Sequence, residues 1–252
     1  MVDLDELCAY TDRLLEIGAF RDYAPNGLQV EGRREVRCIV AAVTASLAVI
    51  EAAIKLQADA VCVHHGYFWK HEDSRIIGMK RQRLQLLLQH DISLLAYHLP
   101  LDAHALYGNN VRLAAHLGIR LAGRLELEDT PPLVCHGELP VPMTAVEFAR
   151  HLEQRLGRVP LHLPGGSGEI RRIAWCTGAA QGYFEKLAGY DVDAYLTGEV
   201  SEQNTHTARE TGVHFFAAGH HATERYGVQA LIAHLSERFA LESHYIEIVN
   251  PV

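Results

Sequence analysis

Two apolar runs, CIVAAV (Cys38–Val43) and ADAVCV (residues 58–63), flank an amphipathic stretch that opens at Ser46 and runs through Gln57. This strand–helix–strand pattern forces a crossover, so the two strands are parallel neighbours and their carboxyl ends share one edge of a sheet. Ligands of open α/β sheets gather at that edge. The second run ends in His64, His65 and Gly66. Alternation along a strand would send the two imidazoles to opposite faces. Gly66 is read as the turn that brings both rings to the sheet end.

The rest of the chain extends this α/β pattern. Asp3 and Glu6 start a helix carrying Leu4, Leu7, Leu14 and Leu15 on one face. DYAPNGLQVEG is a loop leading into a short extended piece. A helix around Lys80 to His90 precedes the strand ISLLAY, and HLPLD then places His98 and Asp102 at another strand end. Asn109 or Asn110 caps the helix NVRLAAHLG, and the pattern loosens after Gly118. LEDTPP (Leu127–Pro132) is the expected boundary between lobes 1–126 and 127–252, with the C-terminal segment able to pack back on the first. In the second lobe LVCHGEL is a strand, Thr144 and Glu147 form a capping box, and PLHLPGGSGE is a turn-rich connection.

After it the first pattern returns. At a constant offset of 134, Ile39 meets Ile173, Asp59 meets Asp193 and Ala60 meets Ala194, while His64 and His65 fall on Gly198 and Glu199. At an offset of 122, His98 meets His220 and Asp102 meets Glu224. The expected fold is therefore α/β, with two similar, duplicated lobes and a metal site in the cleft between them.

Sixteen histidines are unusual for 252 residues, and their clustering matters more than their number. His64, His65, Asp102, His220 and Glu224 are nitrogen and carboxylate donors, the mixture that suits Zn, Mn, Fe, Co or Ni. Five ligands with two carboxylates fit two divalent metal ions, because a carboxylate can bridge ions about 3.5–4 Å apart. Glu224, with the longer stem, is the expected bridge. His98 and His104 are read as orienting or substrate-contacting groups, His221 as an alternative to His220, and His206 as a helix-face residue that Glu199 could approach.

A net charge of -8 disfavours nucleic acid as a partner. No apolar run reaches membrane-spanning length, and the start MVDLDELCAY is unlike a signal peptide, so no membrane partner and a cytoplasmic location are expected. Cys8, Cys38, Cys62, Cys135 and Cys176 show no CxxC spacing and are read as reduced thiols.

The motifs NGLQVEG, VHHG, YHLPLDAH, GNN, TGEVSEQ and GHHATE together closely resemble the Nif-three-like family, whose bacterial members are often labelled GTP cyclohydrolase I type-two homologues. The resemblance spans essentially the whole chain. It implies a two-lobed α/β fold, a dinuclear metal centre ligated by His64, His65, Asp102, His220 and Glu224, and a ring-like homohexamer. The functional expectation is a metal-dependent hydrolase of a small, nucleotide-like molecule, with Glu224 essential and His98 or Glu199 moving a proton. The competing expectation is a non-catalytic metal or cofactor chaperone or scaffold using the same ligands.

Overall fold

The computed structural model describes residues 1–127 and 131–252, so residues 128–130 of the expected LEDTPP boundary lie outside the described residues. Two compact units emerge: Met1–Gly108 with Gly227–Val249, and Asn109–Tyr226 with Asn250–Val252. The first opens with β1 (Val2–Asp3) and α1 (Leu4–Leu14), where Asp3 is the N-cap and accepts the Asp5 N–H. Next come β2 (Gly27–Val30), β3 (Glu35–Val36), β4 (Cys38–Thr44), α2 (Leu47–Lys55) and β5 (Ala60–His65). Ser46 caps α2 as expected. Then follow α3 (Gly78–Gln89), β6 (Ser93–Ala96) and the short α4 (Leu99–Ala103). Strands β4, β5 and β6 are parallel, and β2 lies antiparallel on β6.

The second unit contains α5 (Asn109–Leu117), β7 (Arg120–Arg124), β8 (Cys135–Met143), α6 (Ala145–Leu156), β9 (Leu161–Leu163), β10 (Ile170–Trp175), β11 (Ala194–Thr197), α7 (Asn204–Thr211), β12 (His214–Ala217) and α8 (His220–Thr223). The capping box of Thr144 and Glu147 starts α6. Asn109 and Asn110, the two alternatives for the cap, both lie within α5, and the Asn110 side-chain oxygen accepts the Thr177 N–H while its carbonyl accepts Trp175 Nε1–H. β7 and β9 escape sequence reading because one is polar and largely exposed and the other spans three residues. Since β7 pairs with β8, the chain after Gly108 is committed to the second unit well before residue 126.

The chain returns to the first unit through α9 (Arg225–Phe239) and β13 (Glu242–Tyr245), which pairs parallel with β4. The first sheet therefore runs β13-β4-β5-β6-β2, and the second β7-β8-β10-β11-β12-β9. Each sheet is apolar on both faces. Ile39, Ala41, Cys62 and Leu95 pack with Leu7 of α1 and Leu231 of α9, whereas Val40, Val61 and Leu94 pack with Ile50 of α2 and Leu87 of α3. In the second unit Ile173, Trp175 and Phe216 meet Phe148 and Leu152 of α6, and Tyr195 and Phe215 meet Phe184 and Ala208 on the opposite face. Such double-sided burial explains the continuous apolar runs.

The repeat is visible in register. Ile39 pairs with Ala60 and Ile173 with Ala194, both partners displaced by 134. Asp59 accepts the Arg37 and Cys38 N–H groups, and Asp193 accepts those of Arg171 and Arg172, again 134 apart. In each unit three consecutive parallel strands, β4-β5-β6 or β10-β11-β12, end on an antiparallel strand, β2 or β9, while on the other side β13 adds parallel to β4 and β8 antiparallel to β10. The next strand keeps an offset of 121, since Ala60 pairs with Ser93 and Ala194 with His214. The offset of 122 at His98 and His220 thus reflects one added residue near Gly219, whose φ is +99°.

Candidate metal-binding sites

In the first unit β5 ends in the two histidines. His64 is fully buried, and its Nδ1 lies 2.8 Å from the Tyr97 carbonyl. A carbonyl can only accept, so Nδ1 carries the proton that is donated to it. That Nε2 lies 3.5 Å from Asp102 Oδ1, on a helix whose first turn is closed by Asp102 N–H and Leu101 N–H donating to the His98 carbonyl. His65 Nδ1 is 3.2 Å from Thr44 Oγ1, and the His64 and His65 ring centroids are 4.6 Å apart. Gly66 has a different role from the expected flexible turn. A Cβ there would overlap Gln29 Oε1 and come within 2.6 Å of Ala96 Cβ, so this position needs the absence of a side chain. Gln29 grips the following residue from both sides, accepting Tyr67 N–H at 2.7 Å and donating to the Tyr67 carbonyl at 3.1 Å.

His98 stands beside this pair, its ring centroid 5.1 Å from that of His64 and 5.8 Å from that of His65. Its Nδ1–H donates to Asp22 Oδ1 at 2.7 Å, and its backbone N–H donates to Asn26 Oδ1 at 2.7 Å. Asp22 also accepts from Asn26 Nδ2 and the Leu99 N–H. Burial pulls Asp22 upward, but the His98 hydrogen bond and charge, with Asn26 and the Tyr23 N–H, prevail and hold it at about 2. Sequence reading missed Asp22, Asn26 and Gln29 as framework groups. Their only sequence signal is the segment DYAPNGLQVEG, whose polar residues meet His98 and Tyr67 only when β6 and the end of β5 are in place.

In the second unit His220 and Glu224 bracket α8. His220 Nε2 lies 3.0 Å from Glu224 Oε2, and Nδ1 lies 2.7 Å from Glu199 Oε1. Burial would lower the His220 pKa, but the hydrogen bonds and charges of Glu224 and then Glu199 outweigh it and raise it to about 9. Two carboxylates around one imidazole are an environment that attracts positive charge, a proton or a metal ion. Space beside them is kept open by Gly178: a Cβ there would overlap Glu224 Oε1 and come within 3.2 Å of His220 Nε2. Gly198, the counterpart of His64, sits where a Cβ would fall 2.6 Å from His220 Cα, so no side chain fits. Glu199, the counterpart of His65, turns to His220 instead.

The other histidines separate from these sets. His221 is buried and its N–H donates to the Val252 carbonyl. His104 Nδ1 accepts the Leu106 and Tyr107 N–H groups and its ring stacks on Tyr107, a turn-forming role. His206, on α7, pairs with the exposed Glu202, whereas Glu199 holds His220. All five cysteines are thiols, and burial pushes Cys62 to about 12 and Cys135 to about 11, so these two are protonated near neutral pH. Groups of His, Asp and Glu able to hold a metal ion are therefore present, His64, His65 and His98 among them.

These features define a class: a duplicated α/β protein with imidazole–carboxylate donor sets at the carboxyl ends of its parallel strands. The Duf34/NIF3 (NGG1p interacting factor 3) family model matches residues 2–251, and the chain belongs to that family. It is 56% identical over 250 residues, 99% of each chain, to the Pseudomonas aeruginosa protein named GTP cyclohydrolase 1 type 2 homolog. Among solved structures it resembles protein ybgI, described as of unknown function, with a TM-score of 0.96 at 51% identity and complete coverage of both chains. TTHA1606 from Thermus thermophilus follows with a TM-score of 0.88 at 37% identity, again over the whole of both chains.

Proposed function

We propose that this protein is a metal-dependent hydrolase of a nucleotide-like small molecule, with two divalent ions held by His64, His65, Asp102, His220 and Glu224. The observation that carries the reading is the commitment of Nδ1 on His64 and His220 to acceptor-only partners, with each Nε2 beside a carboxylate, Asp102 or Glu224. Histidines that serve metals are typically fixed in this way by an outer acceptor. Ions so held would supply Lewis acidity. Glu224, nearly fully buried, is the proposed shared ligand, and Glu199 reads better as the orienting partner of His220 than as a free proton carrier. His98, fixed by Asp22 and Asn26, is left either to move a proton or to join the ligands.

The substrate class rests on the names borne by the relatives, GTP cyclohydrolase 1 type 2 homolog. A homohexamer and a cytoplasmic location complete the proposal. Among the described residues no helix is long and apolar enough to cross a membrane. The test is a screen of purine nucleotides and phosphoesters with metal-loaded protein. Turnover is expected in the wild type and should fall at least a hundredfold in Glu224→Gln while the circular dichroism spectrum persists. Loaded protein that turns over nothing, yet exchanges its metal freely, would favour the carrier or scaffold reading. Light scattering checks the hexamer.

A further inference from the structure

We propose that Cys38, Glu242 and His244 form a separate thiolate–carboxylate–imidazole site for Zn(II), one that clips the returning strand β13 to β4. It shares no residue with the imidazole–carboxylate sets described above and does not depend on what they do.

Strand register brings the three side chains together. β13 joins the first sheet as its outer strand, parallel to β4, with Cys38 opposite Glu242 and Val40 opposite His244. Side chains alternate along a strand, so Glu242 and His244 share the face on which Cys38, Val40 and Ile246 pack with Ile50 of α2. Tyr245 takes the opposite face and packs on the α1 side. Cys38 Sγ, one ring nitrogen of His244 and a Glu242 carboxylate oxygen lie within 4.8 Å of one another. Zn–S and Zn–N bonds are about 2.3 and 2.0–2.1 Å, and the more exposed Glu242 and His244 have the freedom to close on an ion held by the buried sulfur.

The surroundings favour a cation. Among the described residues the Glu242 carboxylate meets no Arg or Lys, only His244, whose Nε2 lies 2.8 Å away. Arg37, the nearest cation along the chain, is turned to Glu35. Cys38 donates its backbone N–H to Asp59, while its Sγ makes no hydrogen bond among the described residues. Burial, and then the charges of Glu242 and Asp59, push the Cys38 thiol up, so it stays protonated while no ion is bound. Metal binding breaks the S–H bond, forms an S–Zn bond and releases the proton to solvent. Sulfur, nitrogen and oxygen donors together suit Zn(II), with water completing a tetrahedral set, whereas the other donor sets offer only nitrogen and oxygen.

The location gives the ion a task. Residues 227–249 complete the first unit from the far end of the chain, and β13 is their attachment to β4. An ion joining Cys38 to two residues of β13 holds that return in place, so its binding free energy adds to the stability of the unit.

The test is Co(II) titration of metal-free, full-length protein, followed by absorption. Thiolate ligation of Co(II) gives a near-ultraviolet charge-transfer band, to which imidazole and carboxylate sets do not contribute. The wild type is expected to show the band and to lose it when Zn(II) displaces the cobalt. Cys38→Ser should abolish it. His244→Ala and Glu242→Gln should each weaken the binding it reports by about tenfold or more, since even the outer partners of ligands are worth that much. No band in the wild type overturns the proposal, as does a band that survives Cys38→Ser. If Cys38→Ser fails to fold, the more exposed His244→Ala decides the matter, and unchanged affinity there overturns the site. Zn(II) should also raise the urea midpoint of the wild type more than that of His244→Ala, and equal shifts would overturn the clip.

Discussion

At the scale of single residues, the donors are shaped by what lies behind and beside them. Gly178 is the clearest case, with φ at +71° and no room for a side chain beside Glu224 and His220. Gly178→Ala should cost about 1–3 kcal/mol through overpacking and displace Glu224. Metal analysis after dialysis should show the loss as reduced occupancy, and a variant that keeps full metal content would contradict the role assigned to this glycine. His220 offers a pH test in metal-free protein. Its folded pKa, about 9, is raised above the ordinary 6.5, so its stabilisation is complete below about 6.5 and disappears as pH rises through 9. Thermal unfolding of metal-free wild type should therefore drop in temperature between those values, and His220→Asn should flatten that dependence. The histidines and carboxylates of the sets were legible because clustered metal-ligating residue types are rare at strand ends. Asp22 and Gln29 were not, since an ordinary polar loop residue acquires a partner only when distant strands meet.

At the scale of elements, the repeated unit is a joint as much as a strand order. Asp59 and Asp193 each close two backbone N–H groups at the start of the strand preceding the crossover. Burial would raise Asp193, but hydrogen bonds from Arg172 and the backbone keep its pKa below 3.8. Asp193→Ala leaves those amides without their acceptor and should destabilise the second unit by about 1–3 kcal/mol, measurable in urea unfolding. No effect would mean that the shared joint is incidental. Continuous apolar runs made β4, β5, β10 and β11 readable, with Ser46 and Thr144 marking helix starts. β7 and β9 were hidden because a short or polar edge strand is defined by its partner's hydrogen bonds and not by its own periodicity.

At the scale of the whole molecule, the two units differ in how the chain completes them. Unit two is almost continuous, whereas unit one needs residues 227–249, with α9 covering one sheet face and β13 pairing with β4. A chain ending at Tyr226 should keep the second unit and lose order in the first, so limited proteolysis should leave a resistant core within residues 109–226. Degradation of both at equal rates would show that unit two cannot stand without the missing segment. The family, the α/β class, the duplication with its offset of 134 and the chemical type of the donors were all determined by the sequence alone, because burial periodicity and residue chemistry are local properties. Tertiary structure decided which nitrogen each imidazole presents, why Gly198 stands where His64 has its counterpart, and that Asp22 and Glu199 turn towards histidines. Those outcomes depend on hydrogen bonds and steric limits between residues far apart in the chain, and only packing brings such groups within 3 Å of each other.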